Sequence, residues 1–509
     1  MKVNQLKGGV FLSYAQTVLN AVISLAYTPV MLRLLGQSEY GVYTMAASMI
    51  SYLGLLNFGL SSSYIRYYTR YRQRADERGL AQLNGIFLTV YAGIAVIALI
   101  AGLLLSANVS IFYGQSLNAQ DLRTAQILMA ILSVNMMMTF LGTVFTAYVT
   151  ANECFVFQKL VNMGKTVLSP LVTIPVLLLG FRSVGMVVVT TIISLLVDII
   201  NVVFCFRKLH MRFTVRGADF GLLKEIAFYS FFIAINSIVD QVNWQIDKVI
   251  LGHYRGAEET AVYGVASQIN TLYMNLSTVI SSVFIPRVHR LVYAPDSKVQ
   301  FDRLFIKIGR IQMLLLGLIG TGLIFYGRQF IRYWAGESYD NAYAITLLLV
   351  LPCTIPLIQN IGIEIQRAKN MHRFRSVAYV LMMVVNVALS IPLGKMYGGI
   401  GCAAGTALSL ILANGFIMNW YYQKKIHLDI KQFWLSILRF VPGLCLVALV
   451  GVALRLLIPM DNFWLFLCSG AVYVLVYCVI SWFLIMNASE KALVIHTVKK
   501  VLRIHSSNG

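Results

Sequence analysis

Lys and Arg residues of this chain gather after every second apolar span, and that rhythm holds from end to end. Windows of roughly 17–25 apolar residues, the length a helix needs to cross a bilayer, lie near 10–34, 41–63, 84–107, 124–150, 160–180, 184–206, 224–252, 260–285, 303–327, 341–366, 374–394, 398–422, 433–457 and 461–486. Arg66, Arg70, Arg72, Arg74 and Arg78 follow the second; Arg207, Lys208, Arg212 and Arg216 follow the sixth. Arg287, Arg290, Lys298 and Arg303 follow the eighth, Arg367, Lys369, Arg373 and Arg375 the tenth, and Lys424, Lys425 and Lys431 the twelfth. The alternate loops hold only scattered cations such as Arg33, Arg123, Arg182 and Arg255. Basic residues resist translocation, so the rich side is expected to be cytoplasmic, with both termini inside. The fold class expected is an all-α polytopic membrane protein of about fourteen transmembrane helices in an inner membrane.

Composition narrows the function. The chain is 58% hydrophobic and only 12% charged, which leaves too little polar sequence for a second soluble domain. Its net charge of +21 is the topology signal, partly set against anionic headgroups, and no nucleic-acid partner is expected. The first apolar segment has no small-residue cleavage site and reads as a retained helix. The seven cysteines are scattered inside spans without ligand spacing and read as core filler; no metal site and no cofactor are expected. There is no phosphate-binding loop and no zinc-protease motif, and an enzyme is not expected. Tyr64, Tyr67, Tyr68 and Tyr71, and again Trp420, Tyr421 and Tyr422, read as interfacial aromatics.

The chain repeats itself. LLGQSEYGVYTMAAS from Leu34 matches ILGHYRGAEETAVYGVAS from Ile250; aligning Gly36 with Gly252 sets an offset that also pairs Asn20 with Asn236, Gly185 with Gly401, Thr190 with Thr406 and Asp198 with Asn414. Six spans per copy is an even number, so the copies run parallel. Two six-helix lobes, 1–215 and 216–425, would then enclose a central cavity suited to alternating access, with 426–509 adding two further helices and a cytoplasmic tail.

Polar groups inside the spans are the sharpest chemical signal. Asn236, Asp240, Asn243 and Asp247 recur at i, i+4, i+7 and i+11 on one face of the seventh span, and Lys248 follows. A carboxylate such as Asp240 near the midplane costs roughly 2.5–3.5 kcal/mol, so the stripe is expected to face a water-filled cavity or a polar partner rather than lipid. The functional reading is a cavity wall that binds substrate or takes up an ion; the plain alternative is a structural polar seam. Asp247 and Lys248 lie nearer the outer interface, where a salt bridge or snorkelling pair is as natural as a transport role. Asp198 in the sixth span is deeper. Arg66 could greet a headgroup from inside or anchor the interface. In the first span Gln16, Asn20 and Ser24 form the milder counterpart of the stripe.

Several runs resemble a known family. RLLGQSEYGVY from Arg33, NFGLSSSYIRYYTRY from Asn57, QIDKVILGHYRG from Gln245, VYGVASQ from Val262, IQRAKNMHRFRS from Ile365 and YGGIGCAAGTALS from Tyr397 look like the Wzx-type polysaccharide biosynthesis flippases of the multidrug/oligosaccharidyl-lipid/polysaccharide exporter superfamily. The resemblance touches both lobes and implies an undecaprenyl-diphosphate-linked oligosaccharide as substrate, moved to the outer face of the bacterial cytoplasmic membrane. It implies a cavity built from Asn20, Arg66, Asn236, Asp240, Asn243 and Lys248. Ion coupling, by H+ or Na+, would fall to Asp198, Asp240 or Asp247, and a polysaccharide polymerase is a candidate partner. The rival from the same superfamily is a cation-coupled multidrug exporter. A flippase for the peptidoglycan precursor, and a membrane-embedded polymerase or ligase, fit less well: arginines do not concentrate in the first lobe's interior, and the largest external loop, near 108–123, is short.

Overall fold

The computed structural model describes residues 5–214, 220–291, 297–369, 371, 373–460 and 462–506. Arg216 and the expected boundary at 215/216 fall outside these. Among the described residues the chain is helical throughout, with no strand. In order come α1 (Gln5–Leu35), α2 (Gln37–Ser51), α3 (Leu60–Gln73), α4 (Glu77–Ala107), α5 (Val109–Tyr113), α6 (Ala119–Ala151), α7 (Phe155–Leu178), α8 (Arg182–Arg207), α9 (Phe220–Tyr254) and α10 (Ala257–Leu291). They are followed by α11 (Ser297–Trp334), α12 (Ala342–Ile358), α13 (Asn360–Ala368), α14 (Arg373–Leu410), α15 (Met418–Tyr421), α16 (Ile430–Leu438), α17 (Val441–Leu457), α18 (Phe463–Ile480) and α19 (Ala488–Ser506).

Among the described residues, ten segments are long and apolar enough to cross a membrane, and the chain is a multi-pass membrane protein. One of them, Arg373–Ile426, runs 54 residues and breaks at Gly398 (φ 62°, ψ −140°), so it contains two of the expected spans. The other three expected spans are not recovered on apolar length. The one near 41–63 is split between α2 and α3 by a 3-10 turn and two left-handed residues, Phe58 and Gly59. Those near 224–252 and 260–285 coincide with α9 and α10, each 35 residues long and both carrying Asn, Gln and Ser among their apolar residues. Among the described residues, apolar length alone therefore does not reach fourteen.

Two compact units form, one from Met1–Val265 with Tyr379–Thr406 and the other from Ala266–Ala378 with Ala407–Gly509. In the first, α4, α6 and α8 pack side by side, α1 lies on α7, and α2 and α3 lie on α6 and α9. Gly41 lets α2 meet the start of α10 closely: a Cβ there would fall on the backbone of Ala257. The tyrosines of α3, expected as interfacial aromatics, are packed within the first unit. Tyr64, Tyr67 and Tyr68 are buried, Tyr64 donating to Asn84 Oδ1 at 2.6 Å and Tyr68 to Asn152 Oδ1 at 2.9 Å. Their rings meet Phe87 and Tyr148 edge-on, because α3 is amphipathic and its aromatic face is the one turned to α4 and α6.

In the second unit, α11 is the spine against which α12, α16, α17 and α18 pack. Tyr326, Val447, Tyr473 and Tyr477 form its core beside the last two long helices. The connection from α11 to α12 is clamped by Asp340, which accepts from Arg328 Nε at 2.9 Å and from Arg332 Nε at 2.7 Å. The Arg328 hydrogen bonds, with Arg332 beside them, hold this carboxyl at about 2. A carboxylate depressed in the folded state stabilises above its unfolded value of about 3.9 and loses that contribution as pH falls through the folded one. Asp340→Asn is therefore expected to lower the thermal midpoint modestly at pH 7, with the gap to the parent closing between about pH 4 and about pH 2. An equal gap across that window in a pH series of melts would show that Asp340 acts by packing alone.

Candidate functional site

The polar face of α9 enters the first unit with two residues one turn apart: Asn243 is 4% exposed and Asp247 is 2% exposed. Three further segments converge on them. Gly256, at φ 86°, turns the chain between α9 and α10, and Tyr263 in the first part of α10 reaches Asp247. The break at Gly398 folds the second part of α14 against the first, which sets Thr406 beside Asn386 and Ser390. That corner is held shut from outside: Glu259 accepts from the Gly399 N–H at 2.8 Å, and Arg255 donates to the carbonyls of Lys395 and Met396 at 2.8 Å.

The resulting cluster is a buried carboxylate among neutral oxygen donors. Asp247 Oδ2 accepts from the Tyr263 hydroxyl at 2.5 Å and from Thr406 Oγ1 at 2.6 Å. Asn386 Oδ1 accepts from Ser390 Oγ at 3.0 Å, and Asn386 Nδ2 donates to Asn243 Oδ1 at 3.3 Å. Two atoms are left over: Asp247 Oδ1 and Asn243 Nδ2 are buried with no hydrogen-bond partner among the described residues. A buried unpaired carboxylate oxygen costs several kcal/mol unless something positive reaches it. Carboxylate, amide, hydroxyl and phenol oxygens are the donor set of a hard cation, and the same carboxylate can take a proton instead. Among the described residues no three His, Cys, Asp or Glu side chains gather, so the set has one formal charge and suits a monovalent ion better than zinc.

The other residues singled out from sequence are distributed. Asn236 is half-buried and Asp240 is exposed, both on α9, so the i, i+4, i+7, i+11 stripe divides into an exposed half and a buried half. Lys248 acts on Asp247 only through its charge and makes no ion-pair contact with it; its Nζ donates to Gln245 Oε1 at 3.1 Å. Asn20, exposed on α1, accepts from Thr166 Oγ1 of α7 at 2.9 Å. Arg66 is exposed near the middle of α3. Asp198, half-buried on α8, packs its carboxylate on the α6 backbone at Gly142, where any Cβ would collide with it; Lys165 of α7 is the cation that acts on it. The structure thus joins Asn243 and Asp247 in one cluster and places Asn20, Arg66, Asn236, Asp240, Lys248 and Asp198 elsewhere.

Sequence reading missed Tyr263, Asn386 and Ser390 and met Thr406 only as the repeat partner of Thr190. A signal for two of them existed: Asn386 and Ser390 stand one turn apart in the otherwise apolar stretch 377–394, a lesser copy of the pattern on α9. The repeat itself shifts at its first hairpin. The positive-φ glycine that ends α1 is Gly36, and the one that ends α9 is Gly256, not Gly252, which lies inside α9. Pairing Gly36 with Gly256 brings Val42-Tyr43 onto Val262-Tyr263.

The comparisons with known proteins agree with this architecture. The family described as "Polysaccharide biosynthesis protein" matches residues 30–344. A Shigella flexneri protein with the name "Putative O-antigen transporter" is 21% identical over 418 residues, covering 81% of this chain and 95% of its own. Membrane protein EpsK of Bacillus subtilis (strain 168) is 22% identical over 497 residues, covering 95% and 96%. Among solved structures, the lipid II flippase MurJ in an inward closed conformation superposes with a TM-score of 0.75 at 17% identity, covering 93% of this chain and 98% of MurJ. An inward-facing multidrug resistance MATE transporter of the MOP superfamily gives 0.62 at 13% identity, covering 82% and 98%. The fold is that shared by MurJ and the MATE transporters, and the chain belongs to the polysaccharide biosynthesis protein family.

Proposed function

We propose that this protein flips an undecaprenyl-diphosphate-linked oligosaccharide from the cytoplasmic to the outer face of the bacterial cytoplasmic membrane, supplying a surface polysaccharide. The match to the polysaccharide biosynthesis family over residues 30–344 carries this reading. The Shigella relative's name and the likeness to a lipid II flippase point the same way. In this reading both termini are cytoplasmic, the lobes 1–215 and 216–425 rock about a cavity, and the chain performs no bond-making chemistry. A polysaccharide polymerase would consume what it delivers. Arg66 and Lys248 serve the diphosphate, and Asn20, Asn236 and Asp240 the glycan.

The coupling ion, H+ or Na+, is taken by the Asp247 cluster. Its free carboxylate oxygen and its neutral donors on α9, α10 and α14 support the assignment, since an ion there ties three segments together and its departure releases them. Asp198 and Asp240 are secondary coupling candidates, one packed against α6 and the other exposed on α9.

The test is a deletion strain, assayed for surface polysaccharide and for lipid-linked oligosaccharide on the cytoplasmic leaflet. The expected result is loss of the polymer with build-up of the lipid-linked unit inside, whose mass identifies the sugar. Intact polymer with altered sensitivity to cationic compounds would favour the second reading, a cation-coupled multidrug exporter, which the MATE fold likeness supports.

A further inference from the structure

In the second unit a cavity of about 620 Å³ opens where the first turns of α11, α16 and α19 meet. Its polar lining includes Arg303 and Lys307 of α11, Gln432 and Ser436 of α16, and Asn487 and Ser489 at the start of α19. The alternation of basic loops puts all three of these helix starts on the cytoplasmic side, and the structure brings them to one place.

The charges in and around this cavity do not cancel. Arg310 forms part of the wall but is spent on Glu490, at 2.6 Å, and on the carbonyls of Ser436 and Ile485. Asp302, the one carboxylate of the lining, accepts from the Asp429 N–H at 2.9 Å. Arg303 and Lys307 have no carboxylate within ion-pair distance among the described residues. Apolar side chains border the polar lining: Val299 and Ile306 line the cavity, and Leu435 and Leu438 of the adjoining α16 are exposed. A free anion would need only the polar part; a polar recess flanked by exposed apolar residues at the membrane surface fits a headgroup with acyl chains.

We propose that this cavity binds the phosphate headgroup of an anionic phospholipid of the cytoplasmic leaflet, with Arg303 and Lys307 as its cationic contacts. The proposal stands on the cavity's own residues and is independent of what the protein transports. Each cation near a membrane surface is worth about a fivefold change in affinity for an anionic lipid, so Arg303→Gln with Lys307→Gln is expected to weaken binding roughly 30-fold.

The test uses the purified full chain and phosphatidylglycerol in mixed micelles, read by native mass spectrometry and by the lipid-induced shift in melting temperature. The double variant should lose one bound phosphatidylglycerol and most of the shift, with phosphatidylcholine binding unchanged. Arg303 is exposed, so the single Arg303→Gln, with a fivefold loss, serves if the double variant fails to fold. Equal phosphatidylglycerol binding by parent and variant would overturn the proposal. So would a shift from inorganic phosphate as large as that from phosphatidylglycerol, which would make this a site for a soluble phosphate ester. A parallel loss of phosphatidylcholine would overturn it too, by showing that the headgroup charge is not what is read.

Discussion

Asp247→Asn is expected to abolish export of the surface polysaccharide, on the order of a 100-fold drop, while leaving the protein folded. The two effects separate because the carboxylate has two unequal oxygens. Oδ2 is fully engaged by Tyr263 and Thr406, and an amide oxygen can accept the same two hydrogen bonds. Oδ1 has no partner among the described residues, so an NH2 group there breaks no existing bond. What the variant loses is the charge, the only formal negative charge that a cation in the cluster would meet among the described residues. What it gains is relief from a buried carboxylate that no cation contacts directly, Lys248 acting on it only through its charge, so the melting temperature should stay level or rise, the usual trade between stability and function.

Sodium provides the discriminating control. An ion that binds only the folded state raises stability with its concentration. If Na+ is the coupling ion, the parent should melt higher in NaCl than in KCl and Asp247→Asn should melt equally in both. If the parent is indifferent to Na+, the ion is the proton, and the variant's transport should lose its pH dependence. Export by Asp247→Asn within twofold of the parent, at equal protein level, would remove Asp247 from the mechanism. Asp240→Asn in the same assay then tests the exposed half of the α9 face.

The difference between what could be read along the chain and what could not follows from the range of each interaction. Bilayer crossing is decided by about twenty consecutive residues, so α4, α6 and α8 were legible as windows. The α9 stripe was legible because i, i+4 neighbours share a face within one helix. The partners of Asp247 were not: Thr406 lies 159 residues further on, and its approach depends on a left-handed glycine at 398 that no periodicity announces. The same limit explains Lys248, whose adjacency to Asp247 in sequence suggested an ion pair. Consecutive helical residues point about 100° apart, and its amine goes to Gln245. The hydrogen-bond partners of the α3 aromatic run were not legible for a related reason: an amphipathic ring is equally at home at a headgroup boundary or in a core that supplies an acceptor, and Asn84 and Asn152 supply it from further along the chain.

Glu490→Ala is expected to destabilise the second unit more than any other single change proposed here, by about 3–5 kcal/mol. Arg310 sits on the spine helix α11 and is 6% exposed; Glu490, in the first turn of α19, is 1% exposed. The guanidinium meets the carboxylate through both Nε, at 2.6 Å, and Nη2, at 3.0 Å, and lies over the Phe440 ring at 4.8 Å. Glu490 has a second duty. Its Oε2 accepts from the Asn487 N–H while Asn487 Oδ1 accepts from the Glu490 N–H, both at 2.9 Å, a capping box that starts α19. Alanine would leave a buried guanidinium facing no anion and the Asn487 N–H without its side-chain cap. The expected signature is a lower melting temperature together with faster proteolytic loss of residues after 487, because α19 is tied to α11 through this pair. Arg310→Met with Glu490→Leu should recover most of the stability, since removing both charges leaves no buried ion uncompensated, and it should not restore the cap. If the double variant melts as low as Glu490→Ala, the capping box and not the ion pair holds the helix; if Glu490→Ala melts like the parent, α19 is held by its apolar contacts and neither interaction is needed.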